Sequence, residues 1–153
     1  MRTFKTGKLG ISRDEIKQER DAIHAAMCKR HDLDPNSCDS MCGTGHFYTP
    51  SEIHRNSVLD AIDMANSCLC YGYGKDYWSK YAAEYQSQEL WSYRYGEPVK
   101  KYGYNKTQNG AYHLTTAETD AIWAAQKERI SKATILYNVH TDYEGVSYNS
   151  IQW

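Results

Sequence analysis

Apolar residues recur at helical spacing in four stretches of the chain, and three of the four open on the same signal. Ser12-Arg13-Asp14-Glu15, Thr49-Pro50-Ser51-Glu52 and Thr115-Thr116-Ala117-Glu118 each set a hydroxyl residue three positions before a glutamate. This is the capping-box arrangement, in which the hydroxyl and the carboxylate satisfy free amide hydrogens at a helix start. After the first box, Ile16, Ile23 and Met27, with Ala22 and Ala26 between them, form a narrow stripe through about Arg30. Such a stripe predicts a helix that packs on one neighbour. The second box adds Pro50 at the first helical position, and Ile53, Val58, Ile62 and Ala65 carry one face to about Asn66. Tyr71-Gly72-Tyr73-Gly74 then breaks the pattern. Trp78, Tyr81, Ala82, Tyr85 and Leu90 predict a third helix with an aromatic face, ending near Tyr93. Beyond the third box, Ile122, Trp123, Ala125 and Ile130 predict a fourth helix over about 117 to 132, in which Gln126 is a polar interruption.

Between these stretches the period is lost or changes. Residues 32 to 49 hold Pro35, Asn36, Ser37, Gly43 and Gly45, turn formers that predict a loop. Between 96 and 116, Pro98 and an Asn109-Gly110 turn signal, flanked by Lys101 to Lys106 and Ala111 to Thr115, predict a two-stranded hairpin. Thr134 to Val139 predicts a strand, followed by a turn at Glu144-Gly145 and a short run from Val146 to Tyr148. The expected fold is α+β: about four helices with a small antiparallel sheet or hairpins, in a single compact domain over 1–153. Its distinctive parts are a Cys/His-containing loop at 28–46 and a Tyr-rich segment at 71–112.

Composition changes this picture in one respect. Leu, Ile, Val and Phe supply only 22 of 153 residues, whereas Tyr numbers 14 and Trp 4. A large aliphatic core is excluded, and folding has to lean on aromatic rings. Eighteen basic and 19 acidic residues leave a net charge of −1, which argues against gross electrostatic binding to nucleic acid or anionic lipid. No apolar run nears the roughly 18 residues needed to span a bilayer, and Met1-Arg2-Thr3-Phe4-Lys5 lacks a signal-peptide apolar region. A soluble, cytoplasmic protein without a membrane partner is expected. Five Cys is an odd number, so full pairing within one chain is impossible and reduced thiols are expected.

Two clusters carry candidate chemistry. Cys28, His31, Cys38, Cys42 and His46 read Cys-x2-His-x6-Cys-x3-Cys-x3-His. Zinc takes four such donors in a tetrahedron, and one loop can supply them, so these five are candidate ligands of a structural zinc, the one cofactor expected. The competing reading is that Cys28 is a small buried residue of the first helix stripe and the others are incidental. Tyr71/Tyr73, Tyr93/Tyr95 and Tyr102/Tyr104 are Tyr-x-Tyr pairs, and ten of the 14 Tyr lie between 71 and 112. Residues two apart in an extended chain share a face, so each pair can offer its rings to a partner. Tyr93, Tyr95, Lys100, Lys101, Tyr102 and Tyr104 are the candidate binding residues, because lysines between the pairs would be costly to bury unpaired. Rings beside lysines also suit a single-stranded nucleic acid, and Lys101-Tyr102-Gly103-Tyr104 is similar to a fragment of the aromatic RNA-recognition strand.

One enzymatic reading comes from a resemblance covering about a dozen residues. Gly72-Tyr73-Gly74-Lys75-Asp76-Tyr77, followed by Ala82 and Tyr85, resembles the nicotinamide-side segment of ADP-ribosyltransferases. His46 precedes it and Glu144 follows it, in that family's His, Tyr, Glu order. The resemblance implies a small nucleotide-handling enzyme in which His46, Tyr77 or Tyr85, and Glu144 converge on one dinucleotide pocket. The main expectation is instead a non-enzymatic interaction protein, an assembly subunit or an inhibitor of a target, with a Tyr/Trp-rich contact surface. Its partner would be a protein or larger assembly, and such a chain would fit a phage or other accessory protein.

Overall fold

The computed structural model describes residues 7–37, 47–87, 91–94, 97–100 and 114–153. Among them four helices and four strands follow in the order α1 (Arg13–Arg30), α2 (Pro50–Cys70), α3 (Lys75–Ser87), β1 (Trp91–Arg94), β2 (Glu97–Lys100), α4 (Thr116–Ser131), β3 (Thr134–Thr141) and β4 (Ser147–Gln152). The strands form two separate antiparallel pairs, β1 with β2 and β3 with β4. The class is α+β, as the patterning predicts.

All three capping boxes are formed. Ser12 N–H donates to Glu15 Oε2 at 2.7 Å, Thr49 N–H to Glu52 Oε1 at 2.9 Å and Thr115 N–H to Glu118 Oε1 at 3.0 Å. Each hydroxyl accepts the reciprocal bond from the glutamate's amide, an arrangement contributing about 1 kcal/mol per cap. The first two helices also stop in the same way. In α1, Asp32 takes a left-handed φ of 55° and Leu33 N–H reaches back to Cys28 O at 2.8 Å. In α2, Gly72 has φ 78° and Tyr73 N–H reaches Cys68 O at 2.8 Å. Both are Schellman closures, which satisfy the last carbonyls and turn the chain sharply aside.

The helix α2 is the hub, touching α1, α3, α4 and β4. Its Val58, Leu59, Ile62 and Ala65 share one core cluster with Ile11 and Ile16 and with Ile122 and Trp123 of α4. Trp78 of α3 stacks on Trp123, with ring centroids 5.7 Å apart. The indole pair supplies area that the few aliphatic residues cannot. Arg20–Asp60 and Arg30–Glu52, each 2.5 Å, link α1 to α2 along their outer edge and mark them as antiparallel. His54 Nε2 lies 2.6 Å from Glu118 Oε2, tying α2 to the start of α4.

Gln126 is no mere interruption: it is fully buried. Its Oε1 accepts from Ile11 N–H at 2.9 Å, and its Nε2 donates to Ile11 O at 3.0 Å and to Asn66 Oδ1. The amide thus clamps the strap before α1 as a neighbouring strand would. Gly10 permits the approach, since a Cβ there would come within 3.3 Å of Ala125 O.

Two element boundaries differ from expectation. The second helix runs to Cys70 rather than Asn66, because Cys68 and Cys70 are buried and extend the inward face by a turn. The third helix ends at Ser87, and Trp91–Arg94 is a strand paired with Glu97–Lys100 instead of its last turn. Pro98 suits such an outer strand, where its missing N–H costs no ladder bond. The hairpin expected around Asn109-Gly110 lies outside the described residues.

Candidate functional site

The Schellman turn after α2 has a consequence for the surface. It leaves Tyr71 and Tyr73 facing out, with the rings 6.2 Å apart. The helix α3 then begins at Lys75 and brings Tyr77 over Tyr73, stacked at 4.6 Å. On the other side Tyr148 of β4 meets Tyr71 edge to face at 6.4 Å. Four tyrosines from three elements therefore form one continuous line, Tyr148, Tyr71, Tyr73, Tyr77, each 40–50% exposed.

The line continues onto the β3–β4 hairpin. Leu136, Tyr137, Val139 and Val146 are exposed on it, and Tyr143 at its tip is 96% exposed. Leu136 pairs with Ser150 and His140 with Tyr148, so three residues of β3 oppose one of β4. At this bulge Asn138 adopts φ 55°, and its N–H donates to Asn149 Oδ1 at 3.0 Å. The same Asn149 donates from Nδ2 to Cys70 O at 3.0 Å, anchoring the hairpin to the end of α2. The tip is held by Asp142, whose carboxylate accepts from Glu144 N–H, Val146 N–H and the Tyr148 hydroxyl, each at 2.9 Å. These bonds hold the Asp142 carboxyl below the usual range, the Val146 amide contributing most. Two-stranded hairpins are marginal in water without support, so these polar anchors keep an apolar, exposed element in place.

Between α2 and the hairpin lies a cleft of about 420 Å³. One wall is Asp63, Asn66, Ser67 and Cys70 of α2, the other includes Tyr148, Asn149 and Ile151, and Arg13, His140 and Trp153 also line it. Asn66 is only 5% exposed, and its Nδ2 finds no acceptor among the described residues. A buried amide donor left so costs about 1–3 kcal/mol.

The residues singled out in the sequence fare unequally. Tyr93 and Lys100 fall in β1 and β2, opposite Pro98 and Trp91 respectively, while Tyr95, Lys101, Tyr102 and Tyr104 lie outside the described residues. Of the five zinc candidates, Cys28 is fully buried with Sγ 3.5 Å from His24 Nε2, and His24 Nδ1 lies 3.0 Å from the Tyr48 hydroxyl. Burial pushes the Tyr48 phenol above its ordinary pKa. His31 stacks on Phe47 at 4.2 Å. Cys38, Cys42 and His46 lie outside the described residues, among which no group of three ligating side chains converges. For the transferase reading, Tyr77 belongs to the exposed tyrosine line, Glu144 sits in the hairpin tip, and neither lines the cleft. His46 lies outside the described residues, as does the Tyr85 side chain.

Sequence reasoning missed Tyr137, Tyr143, Tyr148 and Trp153. Residues 133 to 153 contain no Lys or Arg, and a tyrosine-bearing stretch without either was the available signal. Among the described residues no helix is long and apolar enough to cross a membrane. No family model matches the chain, and comparison with curated proteins and with solved structures gives no match.

Proposed function

We propose that this protein is a non-enzymatic interaction module, an assembly subunit or an inhibitor of a target, and that its contact surface is the tyrosine line together with the β3–β4 hairpin. The observation that carries this reading is the unbroken run of four exposed rings leading onto a hairpin with Leu136, Tyr137, Val139 and Tyr143 open to solvent. A chain this poor in aliphatic residues leaves ordered aromatic area outside its core, and large contiguous apolar patches mark interaction sites. Tyrosine offers a large contact area for few rotatable bonds, and such anchors contribute about 2 kcal/mol or more each at the centre of an interface. The hairpin carries Asp142 and Glu144 and no lysine or arginine, so a neutral to basic protein face is the fitting partner.

The test is the double substitution Tyr73→Ala with Tyr77→Ala. Both side chains are exposed, so the melting temperature should stay within a few degrees of wild type while the complex in native extract disappears. Collapse of the melting transition without a separate loss of binding would put these rings in a structural role. Loss of binding with rising salt, together with competition by single-stranded nucleic acid of any sequence, would assign the surface to nucleic acid.

A further inference from the structure

We propose that the cleft between α2 and the β3–β4 hairpin binds a neutral saccharide unit. The α2 wall is a stripe at positions i, i+3, i+4 and i+7, so Asp63, Asn66, Ser67 and Cys70 stand on one side of the helix. All four line the cleft, with Tyr71 at the helix end beside them. Its volume of about 420 Å³ falls in the range of small-ligand sites. It is walled by rings on one part and by hydrogen-bonding groups on another, which is the division a sugar ring requires.

The unused bonding capacity selects the ligand. Asn149 is already committed, through Nδ2 to Cys70 O and through Oδ1 to Asn138 N–H. Asn66 is turned to the core: its Oδ1 accepts from Gln126, and its Nδ2 is closed off from solvent. Asp63 and Arg13 both line the cleft and have no ion-pair partner among the described residues. The Ser67 hydroxyl donates to Asp63 O, leaving its lone pairs to accept. A ligand that donates to the Asp63 carboxylate and the Ser67 hydroxyl, accepts from the Arg13 guanidinium and shows an apolar face to Tyr71, Tyr148 or Trp153 answers every one of these groups. Vicinal hydroxyls and the C–H face of a pyranose do so together.

Other ligand classes fit less well. A purely apolar molecule would strip water from Asp63 and Arg13 and return no hydrogen bond. A phosphate or carboxylate would pair with Arg13 but would meet the Asp63 charge on the α2 wall, whereas hydroxyls serve both groups. Tyr71 belongs both to the cleft and to the tyrosine line, so rings at 6.2 Å and then 4.6 Å lead outward from it. Further units of an oligosaccharide would find a stacking surface there.

The experiment is a titration of the full chain, followed by amide and indole NMR shifts, with cellobiose, maltose, lactose, chitobiose and mannobiose at millimolar concentration and with a short oligothymidylate. At least one disaccharide should shift resonances of residues 63–71 and 147–153 together. Asp63→Ala and Tyr71→Ala should each weaken that binding by about tenfold. Asn66→Ala would cut the core bond to Gln126, so the two partly exposed positions carry the test. Silence from all five sugars overturns the proposal, as does binding unchanged in both variants. Shifts with oligothymidylate alone overturn it in favour of a nucleic-acid site. Tyr73→Ala with Tyr77→Ala spares the cleft walls, so loss of a protein partner and loss of sugar binding are separately readable.

Discussion

Replacing Gln126 by Met keeps the length of the side chain and removes its hydrogen bonding. The residue is fully buried and holds three bonds, two to the backbone of Ile11 and one to Asn66. Ile11 itself is 1% exposed; its N–H keeps a second acceptor in Leu9 O at 3.1 Å, but its C=O has no water to turn to. A hydrogen bond is worth about 1 kcal/mol net, and a buried group left without a partner costs about 1–3 kcal/mol. Gln126→Met should therefore destabilise the fold by about 3 kcal/mol, with little contribution from lost volume. For a chain of this size that is a fall in melting temperature of about 6–12 °C. Urea unfolding followed by tryptophan fluorescence reads it directly, since Trp78 and Trp123 stack in the core. The midpoint should drop at an unchanged slope, and the Ile11 amide should lose protection from hydrogen exchange. A loss under about 1 kcal/mol would refute the reasoning, because it would mean that the strap finds other partners.

Acid should weaken the fold through two capping glutamates. The amide bond from Ser12 leads in holding the Glu15 carboxyl below its ordinary value. Burial pushes Glu52 up, but the bonds from Arg30 and Thr49 outweigh it and leave that carboxyl lowered. Depressed folded values mean stability that is present above the unfolded pKa of about 4.3 and is lost as pH falls through the folded values, so urea midpoints should be level from pH 7 to about 5 and decline below. An identical acid decline in the Glu15→Gln, Glu52→Gln double variant would contradict this. Asp142→Ala removes three bonds at the hairpin tip; amide exchange in 134–152 should quicken while α1, α2 and α4 keep their protection, and uniform protection would refute the anchoring role. Cys28, Cys68 and Cys70 are buried, and burial pushes the Cys68 and Cys70 thiols up. Mass spectrometry after N-ethylmaleimide treatment should find all three unlabelled in native protein and labelled in urea; native labelling of Cys68 at a free-thiol rate would contradict the packing of α2.

Helix starts were legible because they are written locally. A capping box needs only four consecutive residues, and all three formed where the spacing placed them. Helix ends were harder: Cys68 and Cys70 extend α2 only because α2 is central and both thiols are covered. Trp91–Arg94 is aromatic enough for a helix face or a strand, and its pairing with Glu97–Lys100 decided the matter. Gln126 could not be read in advance, since its partner Ile11 is 115 residues away. The contact surface was half legible. Tyr71 and Tyr73 stood out as a pair, but Tyr148 joins them only through the packing of β4 on α2.

The central claim, that the aromatic line and hairpin are a partner surface, is tested most directly by mass in native extract. The 17.6 kDa chain should co-migrate with a larger species at physiological salt, resist nuclease treatment, and shift to its own mass when Tyr73 and Tyr77 are both changed to Ala. A wild-type protein that runs at its own mass in extract, with the double variant indistinguishable from it, would contradict the account.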